Sequence, residues 1–95
     1  MFFNKWKSKK KFFTCSVCGY DRLRGPLYAN GVPDFNLICA CCGFQPGYDD
    51  LEQGYTFEEY RTEWIEDDGA KWFDSKEKPA EWDLQTQLNN IGVTL

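Results

Sequence analysis

The apolar positions of this chain fall into short groups separated by turn-forming residues. Phe12-Phe13-Thr14 predicts a short strand. Residues 19–34 are interrupted by Gly19, Gly25-Pro26, Asn30-Gly31 and Pro33 and predict turns. Phe35-Asn36-Leu37-Ile38 alternates and then runs apolar, predicting a second strand, and residues 43–54 form a Gly-rich acidic loop. The clearest pattern is helical. Thr56 is placed as an N-cap with Glu59 three residues on, and Tyr55 and Tyr60 occupy the two positions of a hydrophobic staple. Phe57, Tyr60 and Trp64 then share one face with Ile65 beside it, Glu58, Glu59 and Glu63 suit the positive end of the dipole, and Gly69 is a stop. This predicts a helix over 57–68. Residues 70–80 read as a connector carrying Trp72-Phe73 and broken at Pro79. A last helix over 84–91 has Asp83 as N-cap, Leu84, Leu88 and Ile91 on one face, and Gly92 at its end.

Both strand candidates lead into cysteines, which changes the picture from a bare α+β pattern to a stapled one. Thr14-Cys15-Ser16-Val17-Cys18-Gly19-Tyr20 is echoed by Ile38-Cys39-Ala40-Cys41-Cys42-Gly43-Phe44: each copy reads Cys-x-x-Cys-Gly-aromatic. Two intervening residues let a pair of thiols face one ion from a tight turn. Glycine after the second thiol permits positive φ and brings backbone N–H groups toward the sulfurs. Two such knuckles supply Cys15, Cys18, Cys39 and Cys42, a complete tetrahedral shell for one structural zinc ion. Iron is the alternative, since four sulfurs suit either metal and the first knuckle looks like that of rubredoxins. The repeat assigns Cys42 rather than Cys41 to the metal. Cys41 reads as a small buried side chain beside the site, with a ligand swap against Cys39 or Cys42 left open. The architecture expected is a small α+β protein: zinc-ribbon-like β-hairpins carrying two knuckles, followed by C-terminal helices.

The chain has 95 residues, a one-domain length at which a staple is useful, and 18% of them are aromatic. No apolar run is long enough to span a membrane, and the first residues lack a signal-peptide pattern, so a cytoplasmic location is expected, where cysteines favour metal over disulfides. Five cysteines, an odd count, also fit a disulfide framework poorly. Charge is polarised: residues 1–24 carry seven basic residues against Asp21, whereas residues 25–95 carry four basic and fourteen acidic ones. Residues 1–11 accordingly read as a flexible basic arm and 12–95 as the domain. The chain contains no histidine, so no Ser-His-Asp or Cys-His unit is available. Four thiolates fill zinc's shell and leave no place for an activated water. No phosphate-cradling glycine loop followed by lysine is present. The expectation is a binding protein without enzymatic activity or a small-molecule substrate.

With these residues in view, the chain resembles the small bacterial cysteine-rich CPCC proteins. The resemblance is carried by Cys15 to Asp21, Ile38 to Phe44, Gly47-Tyr48-Asp49-Asp50 and Tyr60-Arg61-Thr62-Glu63-Trp64, and covers roughly residues 12–92. Ala40 stands where the family's naming motif has proline, which leaves the ligands untouched. The resemblance implies a zinc-ribbon-like fold with appended helices. Some relatives look like immunity proteins of bacterial toxin systems.

Three functions follow as expectations. An acidic body suits a basic protein partner such as a nuclease toxin, with Asp49, Asp50, Glu52, Glu66, Asp67 and Asp68 as candidate contacts. Alternatively, Lys5, Trp6, Lys7, Lys9, Lys10 and Lys11, with Phe12 and Phe13, offer cations and rings to a nucleic acid. The same arm could adhere to an anionic membrane, a weaker reading because it has no amphipathic period.

Overall fold

The computed structural model describes residues 11–95, so Lys5, Trp6, Lys7, Lys9 and Lys10 lie outside the described residues. The fold is a small α+β arrangement with one two-stranded antiparallel hairpin and a few helices. The hairpin joins β1 (Tyr28–Ala29) to β2 (Val32–Pro33), with Tyr28 opposite Pro33 and Ala29 opposite Val32. Its turn is Asn30-Gly31, at φ 54° and 78°. Positive φ at both central residues is the turn whose twist matches that of the strands.

The two strands expected from the sequence are not formed as such. Phe13 makes only an isolated antiparallel bridge to Leu23, closed by a reciprocal pair of hydrogen bonds of 2.9 Å. Residues 35–38 are not a strand at all. Asp34 Oδ1 accepts from the Asn36 N–H and the Asp34 carbonyl from the Leu37 N–H, so an Asx turn captures the backbone before a ladder can begin. The Phe35 ring instead covers Gly47, where any Cβ would overlap it. The acidic loop also contains a helical element: Tyr48–Glu52 is a wide turn in which Gln53 N–H reaches the Tyr48 carbonyl, five residues back.

Helix α1 runs Phe57–Glu66, two residues shorter than expected. Asp68 and Ala70 N–H groups fold back onto the Glu63 and Trp64 carbonyls, and Gly69 and Ala70 both take positive φ, so the chain leaves the helix before Gly69. At its start the capping box is closed: Thr56 Oγ1 accepts from Glu59 N–H and Glu59 Oε1 from Thr56 N–H, each at 3.0 Å. The Tyr55 and Tyr60 rings meet edge to face at 5.5 Å. Ser75–Glu77 forms one 3₁₀ turn in the connector. Helix α2 (Leu84–Leu88) continues as a 3₁₀ turn over Asn89–Ile91, together covering the expected 84–91, and ends at Gly92 with φ 71°.

The core is aromatic and sulfur-rich. Phe44 is fully buried, and Phe57 and Tyr60 of α1 strike its ring edge to face at 5.2 and 5.1 Å. Tyr20, Trp72 and Trp82 form a second edge-to-face row, and the Trp64 indole N–H ties α1 to the Lys71 carbonyl at 2.8 Å. Such ring pairs contribute ~0.5–1.5 kcal/mol each beyond the area they bury. The cysteines lie inside this cluster rather than at its edge.

Candidate metal centre

The internal repeat in sequence is a repeat in space. In each knuckle the glycine N–H closes onto the carbonyl of the first cysteine: Gly19 to Cys15 at 2.8 Å and Gly43 to Cys39 at 2.9 Å. In each, the N–H of the first cysteine returns to the aromatic residue's carbonyl: Cys15 to Tyr20 at 2.7 Å and Cys39 to Phe44 at 3.0 Å. Both glycines have positive φ, 87° and 81°. The glycine N–H groups therefore lock the turn rather than reach the sulfurs.

These turns bring Cys15, Cys18, Cys39 and Cys42 together with all four sulfurs within 4.8 Å of one another. The separations are 3.9 Å from Cys15 Sγ to Cys42 Sγ and 3.7 Å from Cys18 Sγ to Cys39 Sγ. A tetrahedron with metal–sulfur bonds of ~2.3 Å has edges of about 3.8 Å, so the thiols are spaced as a four-sulfur ion requires. All five cysteines are reduced and buried. The donors fit zinc, and also ferrous or ferric iron, because both accept this geometry. When bound, the ion cross-links the two knuckles.

Cys41 is fully buried but stands outside the four-sulfur group. Its sulfur accepts from Gln87 Nε2 at 3.2 Å, and the same amide nitrogen donates to the Cys18 carbonyl at 3.0 Å. Gln87 Oε1 in turn accepts from the Trp82 indole at 2.8 Å. Asn90 Nδ2 donates to the Gly19 carbonyl at 2.9 Å, and Arg61 holds the carbonyls of Val17 and Ser16 at 2.6 and 3.1 Å.

Crowding makes ionisation of the four thiols mutually unfavourable. Cys15 is pushed up, chiefly by its bonds to Cys18 and Cys39. Burial first of all pushes Cys18 and Cys42 up. Cys39 is pulled far below the usual thiol range by bonds from Cys15, Cys18 and Cys42. Metal capture releases the thiol protons and weakens as pH falls.

The other candidate residues are dispersed. Asp49 accepts from Gln45 N–H at 2.7 Å. Asp50 accepts from the Tyr28 hydroxyl and from Gly47 and Leu51 N–H groups. These two carboxylates hold their own loop rather than standing free for a partner. Glu52, Glu66, Asp67 and Asp68 are exposed, as is Lys11, whose Nζ lies 5.4 Å from the Phe13 ring centre. Reading the chain alone missed Arg61, Gln87 and Asn90. The signal was present for two of them: Arg61 falls on the same helical face as Phe57 and Trp64, and Gln87 beside Leu84, Leu88 and Ile91. Among the described residues no helix is long and apolar enough to cross a membrane.

The fold and site define a small α+β protein with a buried four-cysteine cluster. The chain matches no family model and no solved structure. It is similar to two proteins of Bacillus subtilis (strain 168). Over 71 residues it is 34% identical to the uncharacterized protein YoaQ, 60% of each chain, and so spans 60% of that relative's length. Over 86 residues it is 33% identical to the uncharacterized protein YozI, 75% of this chain and 70% of YozI. The chain belongs to the same family as YozI.

Proposed function

We propose that this protein is a non-enzymatic interaction module, held rigid by a structural zinc ion on Cys15, Cys18, Cys39 and Cys42, that presents an acidic face to a basic protein partner. The observation that carries the reading is a shallow groove of about 570 Å³ along α1, lined by Tyr55, Glu58, Glu59, Glu63 and Asp67. Four carboxylates and no cation line it, so it suits lysine and arginine side chains. Tyr55, whose hydroxyl donates to Glu63 at 2.7 Å, supplies an aromatic wall. The metal supports this face from behind, because Tyr60 of the same helix donates to the Cys42 carbonyl at 3.3 Å. In its finer form the reading is an immunity-type protein that neutralises a basic bacterial toxin, supported by the acidic groove and by the resemblance to CPCC proteins.

The test is affinity capture from the native host with zinc present, using the wild type beside a Glu58→Lys/Asp67→Lys variant. The expected result is a basic protein retained by the wild type alone, with binding of the purified pair weakening steeply with salt. A partner held equally by both forms, or no specific partner in repeated captures, would refute the reading.

A further inference from the structure

The opposite charge is gathered elsewhere. A groove of about 730 Å³ opens beside the Phe13–Leu23 bridge. Leu23 is buried at the bridge, while Arg22 and Arg24 on either side of it are exposed and line this groove. Lys11 adds a third cation to the lining. The Phe12 ring is 40% exposed, and the Arg22 guanidinium lies over it, 4.6 Å from its centre. Ile38, 42% exposed, adds apolar surface, and Asp74 and Glu77 also line the groove.

We infer that this groove binds single-stranded nucleic acid, its phosphates on Lys11, Arg22 and Arg24 and a base stacked on Phe12. Three cations beside an exposed ring are the two components of sequence-tolerant single-strand binding. A base stacked on Phe12 must have left a duplex's own stack, which favours a single strand, and Asp74 and Glu77 in the lining can accept from the amino groups of bases. The site uses described residues of the folded body and does not depend on the lysines at 5–10. It is also separate from the acidic groove of α1, so the two proposals fail independently.

The experiment is anisotropy of a labelled oligodeoxycytidylate of about 12 nucleotides, within the usual span of such sites, titrated with the full zinc-loaded chain at several salt concentrations. Three phosphate contacts contribute roughly −2 to the slope of log affinity against log salt. Arg22→Gln/Arg24→Gln should flatten that slope by about 1.4, and weaken low-salt binding at least about tenfold. Phe12→Ala should weaken it about tenfold with the slope unchanged. These exposed changes should leave zinc stoichiometry intact, and Glu58→Lys/Asp67→Lys should not weaken oligonucleotide binding. Absence of binding at low salt overturns the inference. So does binding whose slope ignores the arginine changes, or equal affinity for duplex. Competition by an oligoglutamate peptide as strong as by unlabelled oligonucleotide, with Phe12→Ala silent, would identify the occupant as an acidic protein segment instead.

Discussion

The two knuckles have the same local hydrogen bonds and the same left-handed glycine, yet they are supported in different ways. The first, Cys15–Tyr20, is held by side chains that arrive from far along the chain: Arg61 on Ser16 and Val17, Gln87 on Cys18, Asn90 on Gly19. The second, Cys39–Phe44, is held largely by main chain. Phe73 and Asp74 N–H groups donate to the Cys41 and Ala40 carbonyls at 2.9 and 2.8 Å, with the Tyr60 hydroxyl on the Cys42 carbonyl and Gln87 on the Cys41 sulfur as the side-chain additions. A four-residue code thus suffices to shape a metal-binding turn, while the surroundings decide which substitutions can loosen it. Side-chain support can be deleted one residue at a time; backbone support cannot.

The largest effect should be the one in which the knuckles do not differ. Cys15→Ser and Cys42→Ser each remove a ligand from a site whose metal is expected to supply ~10–16 kcal/mol linked to folding. Both variants should lose stoichiometric zinc and the cooperative thermal transition. Cys41→Ser should keep one zinc per chain by elemental analysis; zinc loss equal to that in Cys42→Ser would show that the adjacent thiol is the ligand.

Next comes a paired glycine test that separates the knuckles. A Cβ on Gly19 would overlap the Gln87 carbonyl oxygen, a backbone atom of α2, whereas one on Gly43 would meet the exposed Phe73 side chain at 3.2 Å. Both positions carry the positive-φ penalty of roughly 1–2 kcal/mol. Gly19→Ala should therefore lower the thermal midpoint clearly more than Gly43→Ala, and the reverse order would contradict the packing of α2 on the first knuckle.

Smaller still is removal of the side-chain props. Gln87→Leu leaves the Cys18 carbonyl and the Trp82 indole without a partner and should cost about 1–3 kcal/mol per stranded group. Alkylation kinetics of the zinc-loaded variant should show the first knuckle exposed more than the second. Arg61→Ala should act in the same direction.

The smallest effect is electrostatic and lies outside the knuckles. Burial raises the Asp50 pKa, but bonds from Tyr28, Gly47 and Leu51 outweigh it and hold the carboxyl below its ordinary value. A depressed folded value means stability present above the unfolded pKa of about 4 and lost as pH falls through the folded one. Asp50→Asn should therefore lower stability modestly at neutral pH and flatten the acid limb below about pH 4, the two proteins converging as pH falls. Tyr28, bonded to the same carboxylate, has its pKa pushed up to about 12.

These contrasts also show what a linear reading can reach. The repeat, the capping box at Thr56, the staple of Tyr55 and Tyr60, the cap at Asp83 and the end at Gly92 all depend on residues within a few positions of one another, and all are legible. The hairpin was within reach too, because Asn30-Gly31 is the strongest short turn signal, but its strands are two residues each and have no alternation to read. Phe35-Asn36-Leu37-Ile38 misled for the opposite reason: it alternates, and Asp34 overrides the pattern with a turn. What could not be read was support at a distance. Nothing near Cys18 indicates that a glutamine 69 residues later will hold it, and nothing near Asp49 or Asp50 indicates that both are occupied at home.

The placement of Gln87 and Asn90 has a consequence for biosynthesis. A ribosome delivers Cys15 and Cys18 first, and at that moment they offer an ion two sulfurs only. The second pair follows after about one loop's length, Cys39 lying 21 positions after Cys18, and closes the shell at modest entropic cost. The clamp on the first knuckle forms only when residues 87–90 have emerged and folded back. An ion captured early should therefore exchange rapidly, and its residence time should lengthen once α2 docks, so that the last helix acts as the latch on a site begun at the other end of the chain.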